Sequence, residues 1–412
     1  MLDFIKYLRQ KLLPSSLQSP ADAPSNTPSE SPTESPSESP TESPYPSLLN
    51  VLLDDNFDGE ELFKNRFIYT KTFLPPKEVN LTSLSEKDNI KKGTTLENRI
   101  KIEKRLFKIS RNLLFRARPV KTPLIDTYPK KLVLKGIPKK RLFTNEETLI
   151  EIHNEITFQK KLDHEYILPL LETIETENFI FLVTPYEDLK DLHFYVYDIE
   201  KPIVRTRMEI LFIFWQIAVA VLYLYENGIF HRDLKLENIL YNPENSQIQV
   251  LDFGLATELN INKVYDRVCG TPDYLAPEMI NQGYTYKIET WAMGVILHEM
   301  LFRCHPFIPD DKEMTRQRLI ELIRIGNIFH EFRNRDNVEY LPPNLRDLLM
   351  DLLEIDPFLR LDIMEILYHP AILENELTPQ SYYKNLTIPE TLKNEPQNQP
   401  QNQSKTKMKI KT

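Results

Sequence analysis

The sequence predicts an α+β protein in which a small β-sheet lobe with one helix precedes a larger, mostly helical lobe. Three observations within residues 101–372 predict this class. The first third of that stretch alternates short apolar runs such as LVLK and NFIFLVTPY, which are typical of strands. One helical segment, near 146–162, interrupts these runs. The remainder carries long amphipathic runs at 205–227, 287–303 and 344–354, so we expect two lobes with a cleft between them.

Low-complexity segments flank this patterned stretch. Proline recurs at every fourth position from Pro20 to Pro44, in repeats such as SPTESPSESPTESP. Such a composition cannot bury enough apolar surface to offset the entropy of ordering, so we predict that 1–100 is largely disordered. The Asn/Gln-rich segment 373–412 is predicted to be a second disordered tail. The Ser-Pro steps are candidate substrates for proline-directed kinases, and a plain solvated spacer is the alternative.

Charge and composition exclude several classes of function. The 412 residues carry a net charge of −9, which argues against nonspecific nucleic-acid binding because a phosphate backbone is bound by clustered Lys and Arg. The two cysteines, Cys269 and Cys304, imply no disulfide framework and fit a reducing compartment. The longest apolar run, 210–225, is short for a membrane span. We therefore expect a cytoplasmic or nuclear protein without a transmembrane segment.

Three motifs carry the strongest functional signal: HRDLKLENIL at 231–240, LDFGLA at 251–256 and APEM at 276–279. Their order and spacing resemble those of eukaryotic protein kinases of the serine/threonine type. The resemblance implies the bilobal kinase fold, with a small antiparallel β-sheet lobe at about 101–186 and a larger helical lobe at about 187–372. It also implies ATP and Mg²⁺ as cofactors and proteins as substrates.

The resemblance assigns the catalytic roles within these motifs. Asp233 is expected to accept or orient the proton of the attacking hydroxyl, and Lys235 to neutralise the phosphoryl group in transfer. Asn238 and Asp252 are the expected magnesium ligands, because a hard cation prefers oxygen ligands. Thr271 is expected to form hydrogen bonds with Asp233 and Lys235. Together, Thr271 and Lys235 point to serine/threonine specificity.

A lysine and a glutamate upstream match the ion pair that binds the nucleotide phosphates in kinases. Lys135 ends the apolar run LVLK, and Glu155 follows twenty residues later in the predicted helix. This region is rich in lysine, so Lys131 and Lys139 remain alternatives. Lys135 is favoured because it alone follows the strand-like run that the role requires.

The phosphate loop is where the sequence departs most from the family. Kinases use a G-x-G-x-x-G hairpin, whose glycines let backbone amides approach the phosphates closely. No glycine lies between Gly93 and Gly136, and KISRNLLFRARPV gives the best match. Three residues then stand at the glycine positions, where their side chains are expected to crowd the phosphates: Ser110, Asn112 and Phe115. Ala117 and Val133 are expected to enclose the adenine.

The segment between the predicted helix and the HRD motif resembles the kinase hinge. In FIFLVTPYEDLKDL, Thr184 is expected to be the gatekeeper, and the backbone of 185–187 to meet the adenine edge. Pro185 has no N–H, so a neighbouring amide must serve. The resemblance thus implies a set of nucleotide contacts beyond the phosphate pair: Thr184, Tyr186, Glu187, Asp191 and Leu240.

The activation segment, 252–278, holds Arg267 where many relatives carry a phosphorylated residue. We hypothesise that Asp266 pairs with Arg232 and supplies a fixed negative charge, so that phosphorylation is not obligatory. Thr257 and Tyr265 remain candidate phosphorylation sites.

Other positions resemble family landmarks, with two departures. Glu278 is expected to pair with Arg360 of DPFLR and so tie the activation segment to the large lobe. Glu289 replaces the aspartate of the family's D-x-W-x-x-G, and it is one methylene longer than the residue that caps the catalytic loop in the family. Gln159 stands where the family's hydrophobic spine usually has an aliphatic residue. Both departures indicate a divergent member, of a kind abundant in fungi.

The sequence therefore predicts a serine/threonine protein kinase that transfers the γ-phosphate of ATP to protein hydroxyls. Three acids fall where basophilic relatives bind arginines upstream of the target hydroxyl: Asp191, Glu237 and Glu299. The alternative is a pseudokinase scaffold, which rests on the missing glycines and the other departures. A third reading, an interaction protein whose function lies in the repeats and tails, is compatible with either.

Overall fold

The described residues form strands in the first part of the chain and mainly helices in the second. In the computed structural model they comprise 92–109, 112–120, 128–142, 145–186, 189–198, 206–280, 283–308, 315–325 and 341–374. This order confirms the predicted α+β class. The Ser-Pro repeats and the Asn/Gln-rich tail lie outside the described residues, so their disorder stays a prediction.

An antiparallel sheet of six strands forms the small lobe. The strands are β1 (Thr95–Leu96), β2 (Ile100–Ile109), β3 (Asn112–Pro119), β4 (Leu132–Pro138), β5 (Glu172–Glu175) and β6 (Phe179–Pro185). Their spatial order is β1-β2-β3-β4-β6-β5, and every neighbouring pair runs antiparallel. The first strand begins at Thr95, upstream of the predicted start of the domain at residue 101. The domain boundaries stay predictions.

Alternation along the strands gives this sheet two faces, because successive side chains point to opposite sides. On one side, which we call the outer face, a closed apolar cluster joins β3, β4 and β6. Phe115, Ala117 and Leu134 lie in this cluster and are almost completely buried. Phe181 packs edge-on against Phe115, with ring centroids 6.5 Å apart.

The opposite side, which we call the cleft face, carries the residues expected to meet a nucleotide. Val133 lies opposite Thr184 in the register of β4 and β6, and Lys135 lies opposite Leu182. The helix α2 (Glu146–Gln159) follows the short α1 (Lys139–Leu142) and presents Glu155 to this face.

The start of α2 is fixed by its own sequence. The Asn145 side chain accepts a hydrogen bond from the Thr148 amide at 3.1 Å, which satisfies one of the free donors of the first turn. Two acids, Glu146 and Glu147, follow in that turn, where negative charge favours a helix. Most apolar side chains of α2, among them Ile152 and Ile156, are buried.

Helices form most of the large lobe. They are α3 (Leu192–Tyr197), α4 (Arg207–Glu226), α5 (Pro277–Ile280), α6 (Ile288–Phe302), α7 (Arg316–Ile325), α8 (Pro343–Leu352), α9 (Ile363–Leu367) and α10 (Pro370–Leu373). The core centres on α4 and α6, whose side chains are buried along most of their length. Gly294 on α6 permits a close approach, since a Cβ there would lie 2.9 Å from Leu353.

Short strands surround the loops that carry the motifs. They are β7 (Lys190–Asp191), β8 (Ile229–Phe230), β9 (Ile239–Asn242), β10 (Gln247–Val250) and β11 (Thr257–Glu258). β9 pairs with both β7 and β10, and β8 pairs with β11. The HRD loop therefore leaves β8 and returns into β9, and the DFG turn leaves β10 and returns into β11.

By length and composition, α4 is also apolar enough to cross a membrane. Within the described part of the chain it is the one helix that passes this test, and 78% of its most apolar window is buried inside the protein.

Candidate active site

Three of the predicted catalytic residues contact Asp233, two from the loop between β8 and β9 and Thr271 from the activation segment. Lys235 Nζ donates to Asp233 Oδ2 at 2.7 Å and to the Thr271 hydroxyl at 2.6 Å. Thr271 donates to Asp233 Oδ1 through its amide at 2.9 Å and its hydroxyl at 2.8 Å. Both carboxylate oxygens are thus oriented, one from the activation segment and one from the catalytic loop.

Asn238 completes this group and offers its amide oxygen as a ligand atom. Its Nδ2 donates to the Asp233 carbonyl at 2.8 Å and to Asp233 Oδ2 at 3.0 Å. Both hydrogen bonds of this nitrogen go to Asp233, and no donor among the described residues reaches the amide oxygen, which is therefore available to a cation. This donor set fits Mg²⁺, which prefers oxygen ligands and keeps part of its shell for water and phosphate.

Asp252 supplies the second predicted magnesium ligand. Its backbone lies in the left-handed region at φ 69°, a conformation that is uncommon for residues other than glycine. Burial acts to raise the pKa of Asp252, but the charge of Lys135 and the Gly254 amide outweigh it and hold this pKa below its usual value. The carboxylate is therefore ionised at neutral pH, as a metal ligand must be. Among the described residues, no cluster of three or more His, Cys, Asp or Glu could hold a metal ion.

The predicted ion pair between Lys135 and Glu155 is present. Lys135 Nζ lies 2.5 Å from Glu155 Oε1, and the glutamate side chain is only 7% exposed. Burial opposes the charge on the amine, but the carboxylates of Glu155 and Asp252 outweigh it and raise the pKa of Lys135. Of the two alternative lysines, Lys139 pairs with Glu175 at 2.5 Å, and Lys131 lies over the Tyr186 ring.

The strand register corrects the prediction for the roof of the nucleotide pocket. Ala117 pairs with Leu132 and is buried in the outer face, so it cannot enclose an adenine on the cleft face. Val133 does face the cleft, and its partner on β3 is Arg116. The error arose because β3 has apolar residues on both faces, and the apolar pattern alone does not fix which face they occupy.

The phosphate-loop prediction is corrected in the same way. Phe115 is 2% exposed within the outer face and does not crowd the phosphates. Leu114 pairs with Lys135 and is the side chain at the phosphate end of the cleft face. Asn112 accepts a hydrogen bond from Arg141 at 2.5 Å, and Ser110 lies outside the described residues.

The hinge follows β6 as expected, and one of its backbone amides, that of Tyr186, already donates a hydrogen bond within the protein. The Tyr186 N–H donates to the Lys131 carbonyl at 3.1 Å and so extends the pairing of β4 with β6. An adenine must therefore use a later amide, and Glu187 lies outside the described residues. Asp191 caps α3 by accepting from the Phe194 amide at 2.8 Å, and it pairs in register with the half-buried Leu240 across β7 and β9.

The proposed ion pair between Asp266 and Arg232 is wrong. The Arg232 guanidinium donates to the Leu255 carbonyl at 2.8 Å and to the Tyr284 hydroxyl at 3.5 Å. The salt bridges among the described residues do not include Asp266, and its neighbour Arg267 lies 3.4 Å from Glu147 of α2 instead.

A tyrosine pair holds the activation segment instead. Tyr265 and Tyr284 exchange two backbone hydrogen bonds of 2.8 Å, and their rings stack with centroids 5.7 Å apart. The Tyr284 hydroxyl donates to the Arg267 carbonyl at 2.7 Å, and the Tyr265 hydroxyl donates to the Glu258 carbonyl at 2.8 Å. Both side chains are buried, so Tyr265 is a poor candidate for phosphorylation. The sequence offers one signal for this contact, namely two tyrosines on either side of the stretch 270–279 that ends in APEM.

Glu289 and Gln159, the two residues that depart from the family's pattern, both form hydrogen bonds with the backbone. Glu289 Oε1 accepts from the amides of His231 at 2.5 Å and Arg232 at 2.9 Å, so the longer side chain still caps the catalytic loop. Burial raises the pKa of Glu289 to about 7, against the hydrogen bonds that lower it. Gln159 donates to the Leu168 carbonyl at 2.8 Å, which satisfies its amide in a buried position.

The predicted pair between Glu278 and Arg360 is present and bidentate. The two guanidinium nitrogens Nη1 and Nη2 lie 2.6 and 2.9 Å from the two carboxylate oxygens. Arg360 is fully buried and also donates to three backbone carbonyls. The end of the activation segment is thereby fixed to the large lobe.

Comparison with known proteins places this geometry in a family. A family model described as the protein kinase domain matches residues 124–372. A probable serine/threonine-protein kinase of Dictyostelium discoideum is 32% identical over 261 residues, which cover 61% of this chain and 35% of the relative. A probable serine/threonine-protein kinase of Zea mays is 30% identical over 302 residues, covering 71% and 46%. Human NUAK family SNF1-like kinase 1 is 31% identical over 241 residues, covering 58% and 34%.

The extent of these matches has two consequences. The chain spans between about a third and a half of the length of each of these three relatives. The family model begins at residue 124, downstream of β2 and β3, so the hairpin without glycines lies outside the matched region. The predicted fungal origin stays a prediction.

Proposed function

The chain belongs to the protein kinase family, and we propose that it is an active kinase that transfers the γ-phosphate of ATP to serine and threonine hydroxyls of proteins. The observation that carries the proposal is the hydrogen-bonded group in which Lys235, Thr271 and Asn238 all contact Asp233. Phosphoryl transfer needs positioned charges more than covalent chemistry, and this group supplies them. Of the departures that argued for a scaffold, Glu289 accepts two backbone hydrogen bonds through Oε1, and Gln159 donates one to a backbone carbonyl.

Each residue of the group has a distinct task in this proposal. Asp233 accepts a hydrogen bond from the substrate hydroxyl and orients its oxygen for attack on the phosphorus. The Lys235 ammonium group lies between Asp233 and Thr271. It donates to the phosphoryl oxygens as negative charge develops on them during transfer. Lys135 holds the nucleotide phosphates, while Glu155 keeps the lysine charged and extended. Bound Mg²⁺, held by Asn238 and Asp252, would neutralise the phosphate oxygens.

The test is radiolabelled phosphate transfer from Mg·ATP to an arginine-rich peptide mixture. Asp233→Asn removes the charge that orients the hydroxyl, and we expect a rate loss of at least about 100-fold. Asp266→Asn is the matched control, because this exposed acid lies in the activation segment outside the described ion pairs. Equal transfer by Asp233→Asn and by the unaltered chain would refute the proposed role.

We propose that substrates carry arginine upstream of the target hydroxyl. Fewer acids are available to bind this arginine than the sequence suggested. Glu237 is exposed and Asp191 is half-buried, so both can meet a peptide. Glu299 is 5% exposed, and its two oxygens accept from the hydroxyls of Tyr197 at 2.8 Å and Tyr274 at 2.6 Å. Glu237→Gln should therefore reduce the preference for arginine in a peptide library, and an unchanged preference would exclude Glu237.

A pseudokinase scaffold is the second candidate. The observation that favours it is the charged side chain of Arg116 on the cleft face, beside Val133, where an apolar surface suits an adenine better. A scaffold of this kind would show no transfer with any peptide and no thermal shift on addition of Mg·ATP.

We also propose a cytoplasmic or nuclear location and modification of the Ser-Pro repeats by proline-directed kinases. The support is compositional, namely two cysteines and a proline at every fourth position from Pro20 to Pro44. Residues 1–100 can be deleted and the location and kinase activity of the shortened chain measured separately. This would test whether the repeats affect the location, the activity or neither.

A further inference from the structure

An arginine lies on the cleft face where a nucleotide base would sit. The strand register places Arg116, Val133 and Thr184 in one row across β3, β4 and β6. The next row, Leu114, Lys135 and Leu182, lies one step nearer the phosphate-binding lysine. A nucleotide whose phosphates reach Lys135 and whose base reaches the hinge after β6 must therefore place its base under the Arg116 row.

An acidic residue holds this arginine. Glu103 is the extra residue of a bulge in β2, between Ile102 and Lys104, where the register against β3 shifts. Its carboxylate accepts from Arg116 Nε at 2.9 Å and lies 3.6 Å from Arg118 Nε. The bulge therefore turns an acid toward the same face as Arg116, where it fixes the guanidinium through one edge.

The hinge supplies the third member of this group. The Arg116 guanidinium carbon lies 5.8 Å from the centre of the Tyr186 ring, within the range of cation–π attraction. Because Glu103 binds Nε, the planar face of the guanidinium and its two terminal nitrogens are not consumed by the ion pair. Arg116 thus spans from the bulge in β2 toward the hinge, directly over the base subsite.

We infer that Arg116, held by Glu103, is the roof of the nucleotide-base subsite and binds a purine base by stacking its guanidinium plane on the ring. This inference rests on the proposed function, since it assumes that the cleft accepts ATP. Guanidinium groups stack on aromatic rings because they are planar and weakly hydrated, which ammonium groups are not.

The neighbouring Arg118 provides a matched comparison. It lies on the same strand and the same face, and it contacts the same glutamate, but one row farther from Lys135. Its side chain is 48% exposed, compared with 29% for Arg116. If the acidic bulge alone mattered, the two arginines would be equivalent, whereas the base subsite involves only Arg116.

The experiment measures dissociation constants of Mg·ATP and of adenosine by calorimetry on the full chain. Adenosine carries the base and ribose but no phosphate, so it reports on the base subsite alone. R116M keeps an unbranched side chain of similar length and removes the planar cation, and R118M is its control. R116K retains the charge without the plane and serves if R116M lowers the melting temperature.

We expect R116M to weaken binding of both ligands about fivefold, the factor for one partly desolvated cation–π contact, and R116K to weaken both by a smaller factor, because lysine keeps the charge but cannot stack its plane on the base. R118M should leave both dissociation constants unchanged. Tighter binding by R116M would overturn the inference, because the arginine would then obstruct the base. Weaker ATP binding with unchanged adenosine binding would also overturn it, because the guanidinium would then act on phosphates.

Failure of the inference and failure of the proposed function give different results. Adenosine binding that depends on Arg116 without any phosphate transfer would support the inference and refute the kinase activity. Phosphate transfer by the unaltered chain, together with normal binding of both ligands by R116M, would support the kinase activity and refute the inference. A chain that binds neither Mg·ATP nor adenosine would overturn both.

Discussion

Removing the carboxylate of Glu278 should destabilise the protein more than any single change on its surface. Arg360 is fully buried, and Glu278 supplies the acceptors for two of its five hydrogen bonds, at 2.6 and 2.9 Å. The other three go to backbone carbonyls of Lys287, Glu354 and Ile355. Glu278→Ala therefore leaves a buried positive charge without its counter-charge, which costs about 3–5 kcal/mol of unfolding free energy. At about 2–4 °C per kcal/mol for a domain of this size, the melting temperature falls by about 6–20 °C.

The assay is urea unfolding followed by tryptophan fluorescence, since Trp215 and Trp291 are both buried. Glu321→Ala is the control, because this acid forms an exposed pair with Arg318 at 2.7 Å and should cost less than about 1 kcal/mol. In the double variant Glu278→Ala/Arg360→Met the buried charge is gone, so the loss should be smaller than the sum of the two single losses. A loss below about 1 kcal/mol for Glu278→Ala, or additive losses in the cycle, would refute this reasoning.

Three further predictions follow from buried contacts. Burial raises the pKa of Glu289 from 4.5 to about 7, so the folded chain keeps a proton that the unfolded chain releases between those values. Stability should then fall as pH rises through that window, and Glu289→Gln should reduce the difference between urea midpoints at pH 5 and pH 7.5. Tyr284→Phe removes the hydroxyl between Arg232 and the Arg267 carbonyl, and we expect a lower kcat with little change in KM for ATP. Gly136→Ala would put a Cβ 2.9 Å from Phe181, and a loss of about 1–3 kcal/mol in urea unfolding is expected.

The catalytic group could be predicted from sequence because its chemistry and its spacing are both local. Asp233, Lys235 and Asn238 lie within six residues of one loop, and their mutual contacts follow from that loop alone. The pair between Lys135 and Glu155 was also predictable, since a strand followed by a helix twenty residues on leaves few alternatives.

Register and bulges were not predictable in the same way. Whether Arg116 or Ala117 faces the cleft depends on how β3 aligns with β4, and a shift of one residue exchanges the two faces. The apolar pattern of NLLFRARP is compatible with both alignments. The bulge at Glu103 is likewise invisible in the sequence, because it depends on the pairing of β2 with β3.

Long-range polar contacts were the least predictable feature. Asp266 and Arg232 carry opposite charges and lie in segments that meet, so a pair between them was a reasonable expectation. The fold instead turns Arg232 toward the Leu255 carbonyl and the Tyr284 hydroxyl. Glu299 is similar, because its position suggested a peptide-binding acid and the structure surrounds it with tyrosines.

The most direct test of the central claim is to identify the acceptor of the labelled γ-phosphate. Three peptides of one arginine-containing sequence, with serine, threonine or tyrosine as the only hydroxyl residue, would be incubated with the purified chain and Mg·ATP. The proposed contacts of Thr271 with Asp233 and Lys235 predict label on the serine and threonine peptides and none on the tyrosine peptide. Label on the tyrosine peptide alone, or on none of the three, would contradict the assignment of this chain as a serine/threonine kinase.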